Sequence, residues 1–272
     1  MLRDGCSMPH ELAPTLRERW LAVRDGLESA IRAAGRASDE VLLVAVSKFH
    51  PADAIRELAA LGQRDFGENY MQEARAKQAE LAKSPFCPDV RWHAIGALQT
   101  NKARDAAGHF ALVHSVDSLK LAEALARRMP EGRRQDILLQ VNVGEEPQKA
   151  GVSPSGLAQL AEQVENVEGV RLIGLMCLPP RCGEGEAARP WFVRMRELRD
   201  SLEPRLGRRL PHLSMGMSAD YQQAILAGAN MVRIGSLLFG KRIYHFRAEA
   251  PAAGNLIGSG ISGGRNPDMG RR

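Results

Sequence analysis

The stretch Val41-Leu-Leu-Val-Ala-Val-Ser-Lys48 determines how the rest of this sequence is interpreted. Its apolar and β-branched residues are typical of a strand that is buried on both faces, as in parallel sheets. The stretch ends on a lysine, and in barrels of parallel strands the chemistry lies at the carboxyl ends of the strands. Lys48 therefore either carries its charge out to water or holds its amine at a site.

The rest of the sequence alternates between strand-like and helix-like segments. A helix is expected over 11–34, where apolar residues recur at helical spacing before Gly35. The pattern then predicts eight strands, at 41–47, 65–68, 91–97, 112–116, 137–143, 170–175, 212–215 and 231–237. Helices are predicted between them, at 52–61, 71–83, 102–107, 118–128, 154–165, 190–202 and 221–227. This order predicts an α/β fold, a (β/α)8 TIM barrel with an N-terminal helix. A doubly wound open sheet is the alternative, but it uses fewer strands, and no Gly-x-Gly-x-x-Gly follows the first strand.

Length and composition limit the class of protein. The chain has 272 residues, of which 44% are hydrophobic, and a formal net charge of +5. We expect one barrel domain over 11–246, with flexible segments at 1–10 and 247–272. Basic residues form no dense block with aromatic residues, so no nucleic-acid partner is expected. No signal peptide and no apolar run of about 18 residues is present, which predicts a cytoplasmic protein without a membrane segment.

The four cysteines give no sign of a metal site or a disulfide. They stand at Cys6, Cys87, Cys177 and Cys182, and none of them forms a C-x-x-C pair. No second pair or nearby histidine completes a zinc set around the last two. We expect reduced thiols and no bound metal.

Polar and glycine residues gather at the predicted carboxyl ends of the strands. The loops after the last two strands contain serines and glycines, namely Ser214, Gly216, Ser218, Gly235 and Ser236. Barrels often bind phosphate with these two loops, although the glycines would also serve as simple tight turns. Arg233 lies on the strand that would close the barrel beside Lys48, where a cation would lower the pKa of the amine. A lysine on the first strand and phosphate loops after the last two suggest a ligand with an aldehyde and a phosphate. Pyridoxal 5′-phosphate (PLP) has both groups.

Several blocks in the same order resemble the pyridoxal phosphate homeostasis protein family. They are Ala45-Val-Ser-Lys48, Phe66-Gly-Glu-Asn-Tyr70, Trp92-His-Ala-Ile-Gly-Ala-Leu-Gln-Thr-Asn-Lys102, Val113-His-Ser-Val-Asp117, Gln140-Val-Asn142, Gly174-Leu-Met176, Leu213-Ser-Met-Gly-Met-Ser218, Val232-Arg-Ile-Gly-Ser236 and Phe239-Gly240. The resemblance implies a monomeric barrel of the alanine-racemase type, which is PLP fold type III, with Lys48 as the Schiff-base lysine. It also implies that Arg233 faces the pyridine nitrogen and that Ser214, Gly235 and Ser236 contact the phosphate. The predicted cofactor site comprises Lys48, Asn69, His93, Ser214, Met217, Arg233, Gly235 and Ser236.

Two positions depart from the family pattern. Ala94 and Ala106 stand where the family usually carries larger apolar side chains, so local packing is expected to differ. For His93 a hydrogen-bonded structural role competes with a role as acid or base. Glu68 and Asp117 could form a carboxylate pair. Two other roles compete with that interpretation, namely support of residues that contact the ligand and capping of the helix that follows Asp117. Asn142 is expected to orient the rim.

The expected function is intracellular PLP (vitamin B6) homeostasis, without robust catalysis. An arginine opposite the pyridine nitrogen disfavours its protonation, which makes transamination and decarboxylation poor predictions. Racemisation needs a base on each face of the substrate carbon, and the chain has only three tyrosines, at Tyr70, Tyr221 and Tyr244. An amino-acid racemase remains the alternative, and an aldolase-like barrel that binds a sugar phosphate is a third. The partners expected are PLP and apo forms of PLP-dependent enzymes.

Overall fold

Eight parallel strands, each paired with the next along the chain, form a closed barrel in the computed structural model of the protein. The structure describes residues 13–83, 89–180 and 185–240. The strands are β1 (Leu42–Val46), β2 (Asp65–Glu68), β3 (Arg91–Ala94), β4 (Leu112–Val116), β5 (Gln135–Val141), β6 (Val170–Cys177), β7 (His212–Ser214) and β8 (Met231–Ile234). The helices are α1 (Leu16–Ala33), α2 (Ala52–Ala60), α3 (Met71–Leu81), α4 (Ala103–Ala106), α5 (Leu119–Ala126), α6 (Leu157–Glu165), α7 (Arg189–Leu206), α8 (Tyr221–Leu226) and α9 (Ser236–Phe239). The predicted (β/α)8 barrel with an N-terminal helix is confirmed.

The largest boundary differences are at two helices: α1 begins at Leu16, five residues later than predicted, and α7 ends at Leu206, four residues later than predicted. Among the strands, the boundaries differ most where a strand gives way to the site. β3 and β8 end at Ala94 and Ile234, three residues earlier than the sequence predicts. The short helix α9 was not predicted, because Ser236-Leu-Leu-Phe239 continues the apolar run of β8. Gly235 ends the strand there, since its φ of −119° and ψ of −70° leave the extended region. The predicted flexible segments, 1–10 and 247–272, lie outside the described residues, and the domain limits 11–246 stay a prediction.

Helix α1 packs across the seam where the barrel closes. Its first turn is fixed by a capping box, in which Glu18 N donates to Thr15 Oγ1 at 3.2 Å and Thr15 N donates to the Glu18 carboxylate at 2.7 Å. Such a cap contributes about 1 kcal/mol. The helix contacts α8 and α9, and Arg19 Nε donates to the carbonyl of Leu238 at 2.8 Å. Helix α1 therefore supports the segment that follows β8.

The core has two parts. The larger part lies between the strands and the surrounding helices, and it includes Ala94 and Ala106, both of them fully buried. A smaller cluster contains only strand residues and fills the amino end of the barrel: Leu42, Leu112, Leu138, Ile173, Met176 and Met231. Among the helices in the described ranges, none is long and apolar enough to cross a lipid bilayer.

The register of the strands sets the positions of the site residues. Val46 of β1 is level with Gly67 of β2, and Ala45 is level with Ile234 of β8. Lys48 comes two residues after Val46, and Asn69 comes two residues after Gly67. Gly235 comes directly after Ile234. The carboxyl ends of β1, β2 and β8 therefore open on the same side of the barrel.

Candidate functional site

A cavity of about 360 Å³ lies at the carboxyl end of the barrel. Its volume is within the range of sites for small molecules and cofactors. It is lined by residues from the ends of several strands: Val46, Lys48, Asn69, Ile95, Leu178, Met217, Ser218, Ala219, Arg233, Gly235 and Ser236.

Six of the eight predicted site residues line this cavity, and two do not. Those that line it are Lys48, Asn69, Met217, Arg233, Gly235 and Ser236. His93 and Ser214 are buried inside the barrel, where both bond to the ring of His114. The Ser214 hydroxyl also accepts a hydrogen bond from Arg233, so its side chain supports the arginine from beneath.

Lys48 is carried on a turn whose backbone is held on both sides. Phe49, the next residue, has a φ of 67°, in the left-handed region that bulky side chains rarely adopt. Its N–H donates to Glu73 Oε1 at 2.6 Å, while the carbonyl of Ser47 accepts from Lys77 Nζ at 2.8 Å. Two residues of α3 therefore fix the positions of the residues on either side of Lys48.

A buried ion pair underlies this turn. Lys77 Nζ lies 2.8 Å from Glu68 Oε1 and 2.7 Å from Glu73 Oε1. The Glu68 side chain is fully buried, and its Oε1 also accepts from the Ser47 hydroxyl at 2.7 Å. Burial raises the pKa of Glu68, and attraction to Lys77 opposes that rise. Glu68 Oε2 has no hydrogen-bond partner within the described residues, so the carboxylate depends on the hydrogen bonds that Ser47 and Lys77 make to Oε1.

Arg233 is a buried cation at the base of the cavity. One terminal nitrogen (NH1) donates to Ser214 Oγ at 2.7 Å and the other (NH2) to the carbonyl of Cys177 at 2.9 Å. Burial lowers the pKa of Arg233, but an arginine keeps its proton in a protein. No carboxylate within the described residues forms an ion pair with it, and its guanidinium can only donate. A ligand that meets Arg233 in the cavity must therefore present a hydrogen-bond acceptor.

The loops after β7 and β8 form another wall of the cavity. Gly216 has a φ of 91°, and a Cβ there would lie 2.6 Å from the Cβ of Ala224. This close approach of backbone to α8 requires a glycine. The N–H of Met217 is held by Asp220 Oδ1 at 2.6 Å, and the N–H of Leu237 approaches Ser218 Oγ at 3.5 Å. The two loops thus bring backbone groups and serine hydroxyls to one wall.

Comparison with known proteins assigns the family. The model of the alanine racemase N-terminal domain matches residues 24–243. A pyridoxal phosphate homeostasis protein of Pseudomonas aeruginosa is 48% identical, over 85% of this chain and 97% of the relative. One from Escherichia coli K12 is 40% identical, over 82% of this chain and 94% of the relative. The chain belongs to the pyridoxal phosphate homeostasis protein family.

Solved structures agree with this assignment. PipY of Synechococcus elongatus PCC7942, solved with PLP bound, is 42% identical and has a TM-score of 0.73. The match covers 83% of this chain and all of PipY. Alanine racemase of Corynebacterium glutamicum, at 17% identity and a TM-score of 0.59, shares the fold.

The sequence did not point to the residues that support the site. His114 had no predicted role, and Lys77 was one lysine on a predicted helix. The spacing of Glu73 and Lys77, one turn of α3 apart, was the available signal. Glu68 pairs with Lys77, and no hydrogen bond joins it to Asp117 within the described residues. Asn142 bonds to the backbone of Glu146 and so orients the loop after β5, as expected.

Other sequence expectations concern cysteines and metals. Cys177 is a free, buried thiol, and burial raises its pKa to about 12. Cys6, Cys87 and Cys182 lie outside the described residues. Among the residues that are described, no group of His, Cys, Asp or Glu is arranged to hold a metal ion.

Proposed function

We propose that this chain binds PLP at the carboxyl end of its barrel, with Lys48 as the attached residue, and serves PLP homeostasis without robust catalysis of its own. One observation carries the proposal: Lys48 and the buried Arg233 line the same cavity, beside the two serine- and glycine-containing loops. Among the described residues no carboxylate forms an ion pair with Arg233, so its N–H groups can serve a ligand. Relatives named for PLP homeostasis and the PLP-bound PipY structure support the choice of ligand.

The residues present fit the chemical groups of PLP. Lys48 supplies the amine, and bound PLP would supply an aldehyde that condenses with it with loss of one water. Arg233 offers N–H groups to a ring nitrogen that carries no proton. Ser218, Gly235 and Ser236 would hold the phosphate with backbone N–H groups and hydroxyls. Met217, whose N–H is bonded to Asp220, would contact the cofactor with its side chain. Asn69, which directly follows β2 and lines the cavity, would also contact the cofactor.

The cavity lining favours this role over an amino-acid racemase. A racemase needs a second base opposite Lys48. Tyr70 is half exposed and packs its ring against Phe49, with centroids 5.3 Å apart. The hydroxyl of Tyr221 lies beside Gly26 of α1, on the outside of the barrel. Neither ring lines the cavity, and Tyr244 is outside the described residues.

The proposal also covers the location, oligomeric state and partners of the protein. We place it in the cytoplasm as a monomer that exchanges PLP with apo forms of PLP-dependent enzymes. An exchange role suits a cavity that opens at the protein surface, and no nucleic-acid or membrane partner is part of the proposal.

The test of binding uses the purified full chain with added PLP. We expect a yellow protein, whose colour is lost in Lys48→Ala and also in Lys48→Arg, which keeps the charge but cannot condense with the aldehyde. Lys120→Ala, at an exposed position, is the control and should stay yellow. Borohydride reduction followed by peptide mapping should place the cofactor on Lys48. A label on another lysine would refute Lys48 as the attached residue. A colourless wild type would refute PLP binding and favour the aldolase-like alternative.

The test of function follows from binding. The PLP-loaded protein is mixed with an apo-enzyme, and the recovery of enzyme activity is compared with that given by an equal amount of free PLP. Recovery no faster than with free PLP argues against the exchange role. Chiral analysis of amino acids after incubation tests the racemase: turnover at ordinary enzymatic rates that Lys48→Ala abolishes would replace the proposal.

A further inference from the structure

A continuous chain of hydrogen bonds, called the file below, runs from Arg233 to Asp65 through the inside of the barrel, beneath the cavity. Arg233 NH1 donates to Ser214 Oγ at 2.7 Å, and Ser214 Oγ lies 2.9 Å from His114 Nδ1. His114 Nε2 lies 2.9 Å from His93 Nδ1, and His93 Nε2 lies 2.9 Å from Asp65 Oδ1. All five side chains are buried. The file therefore connects the cavity to a carboxylate at the amino end of the barrel.

The chemistry of its two ends fixes the direction of every hydrogen bond. Arginine only donates, so Ser214 accepts from Arg233, and its O–H is available to donate to His114 Nδ1. At the other end the Asp65 carboxylate only accepts, so a neutral His93 donates from Nε2 and accepts on Nδ1. The proton of neutral His114 is then on Nε2, which donates to His93 Nδ1. The proton of neutral His93 is on Nε2 as well, and it donates to Asp65. Every group is satisfied, and both imidazoles are neutral.

The opposite direction would require another buried charge. If His114 carried its proton on Nδ1, its Nε2 would accept from His93 Nδ1–H. His93 would then need a second proton on Nε2 to reach the Asp65 carboxylate, because that carboxylate only accepts. An imidazolium would stand inside the barrel in addition to Arg233, at a considerable desolvation cost. Burial is the main reason that the pKa of His114 lies well below its usual value, and the charge of Arg233 acts in the same direction.

The far end of the file is anchored at the surface of the barrel. Asp65 accepts from Arg91 Nε at 2.9 Å and from a terminal nitrogen of Arg91 at 2.6 Å. Burial opposes the ionisation of Asp65, but the hydrogen bonds from His93 and Arg91 outweigh burial and lower its pKa. The file thus ends on a fixed negative charge, which is the acceptor that the donor order requires.

We propose that Ser214, His114 and His93 are positioning residues that hold Arg233 in its orientation toward the cavity, and toward the ring nitrogen of bound PLP. This inference rests on the proposed function. Ser214 contributes most to this role, because its hydroxyl accepts a hydrogen bond from NH1 of Arg233 and donates its own proton to His114. Without that oxygen, the guanidinium keeps only the carbonyl of Cys177 as its partner on the side away from the cavity.

The donor order is tested without cofactor. Nitrogen NMR of apo protein labelled with ¹⁵N-histidine distinguishes the two neutral tautomers of each ring. We expect His93 and His114 both to carry their proton on Nε2, with Nδ1 of each in a hydrogen bond. In Ser214→Ala, the Nδ1 resonance of His114 should move to the position of a nitrogen without a hydrogen bond. A proton on Nδ1 of His114, or a charged His93 at neutral pH, would overturn the order.

The positioning role is tested by PLP titration of three variants. Ser214→Ala should weaken binding about tenfold, the loss expected for one hydrogen bond to a charged group. Ser214→Thr keeps the hydroxyl and should restore binding. Ser115→Ala removes a hydroxyl from another buried position, on β4, where the hydroxyl donates to the carbonyl of Gly96, and is the matched control for stability. The absorbance of bound PLP should also become sensitive to pH in Ser214→Ala, because a displaced arginine no longer opposes protonation of the ring nitrogen.

A merely structural serine would give a different result. Ser214→Ala would then lower the melting temperature as Ser115→Ala does, with unchanged PLP affinity and an unchanged pH profile, and the positioning role would be overturned. A wild type that binds no PLP would overturn the proposed function and this role together. In that case the histidine tautomers, which NMR measures in the apo protein, would still test the order of the hydrogen bonds.

Discussion

Replacement of Lys77 by methionine should destabilise the barrel and loosen the turn that carries Lys48. Methionine keeps the apolar stem but removes three hydrogen bonds of 2.7–2.8 Å, to the Ser47 carbonyl, Glu68 and Glu73. Glu73 is partly exposed, so water can replace its lost partner. Glu68 is fully buried and would be left as an unpaired carboxylate.

The expected loss comes chiefly from Glu68. Removing one partner of a buried ion pair costs about 3–5 kcal/mol, because the other charge stays buried without compensation. Uptake of a proton by Glu68 relieves part of this cost. We therefore expect Lys77→Met to lower the free energy of unfolding by about 3 kcal/mol at pH 7.5, as measured by urea denaturation of the apo protein.

The pH dependence gives the sign of the effect. The pKa of Glu68 is already raised in the folded state, and without Lys77 it should rise further. A carboxyl with a raised folded-state pKa favours folding below its unfolded-state pKa, and this contribution is lost as the pH rises through the folded-state value. Lys77→Met should therefore be closer to the wild type at pH 5 than at pH 7.5.

A double variant separates charge from packing. Glu68→Gln/Lys77→Met removes both charges of the buried pair and should recover most of the lost stability at pH 7.5. PLP affinity should stay reduced in both variants, because the Ser47 carbonyl has lost the lysine in each. The reasoning fails if Lys77→Met unfolds within about 1 kcal/mol of the wild type at pH 7.5, or if Glu68→Gln restores nothing.

Two further predictions concern Gly216 and His114. Gly216→Ala should lower the free energy of unfolding by about 1–3 kcal/mol more than Gly62→Ala in urea denaturation. Both glycines have a φ above 90°, but only at Gly216 would the new Cβ meet a neighbour, so equal losses would refute the clash. The free energy of unfolding of the wild type should fall as the pH drops below 6.5, and His114 should contribute up to about 1.4 kcal/mol per pH unit to this fall. The reason is that His114 binds a proton in the unfolded state, whereas burial lowers its pKa in the folded state. Between pH 5 and 7.5, the free energy of unfolding should change less with pH in His114→Gln than in the control His109→Gln, which removes an exposed ring. Equal slopes in the two variants would contradict His114 as the origin of the acid sensitivity.

The barrel could be predicted because its strands are short apolar runs separated by helical periodicity. Even β2, with four residues, was placed correctly at 65–68. Helix α9 was missed because its apolar residues continue those of β8, and only the backbone of Gly235 reveals the break. Local pattern fixes the type of an element, whereas its end depends on a few dihedral angles.

The wall of the cavity was easier to predict than its support. Lys48, Arg233 and the loops after β7 and β8 follow strands directly, so chain order alone places them at one end of the barrel. The file from Ser214 to Asp65 joins β7, β4, β3 and β2, and its members face inward only because of the pleat and register of those strands. No spacing along the chain reveals such a path.

The neighbouring positions of β1 and β8 have a consequence for the order of events during synthesis. Lys48 leaves the ribosome early and Arg233 late, yet they meet only when the last strand docks on the first. A ligand that contacts both residues bridges the junction between β1 and β8 and would stabilise the closed barrel. Bound cofactor should then protect β1 and β8 against local opening more than it protects the opposite side of the barrel.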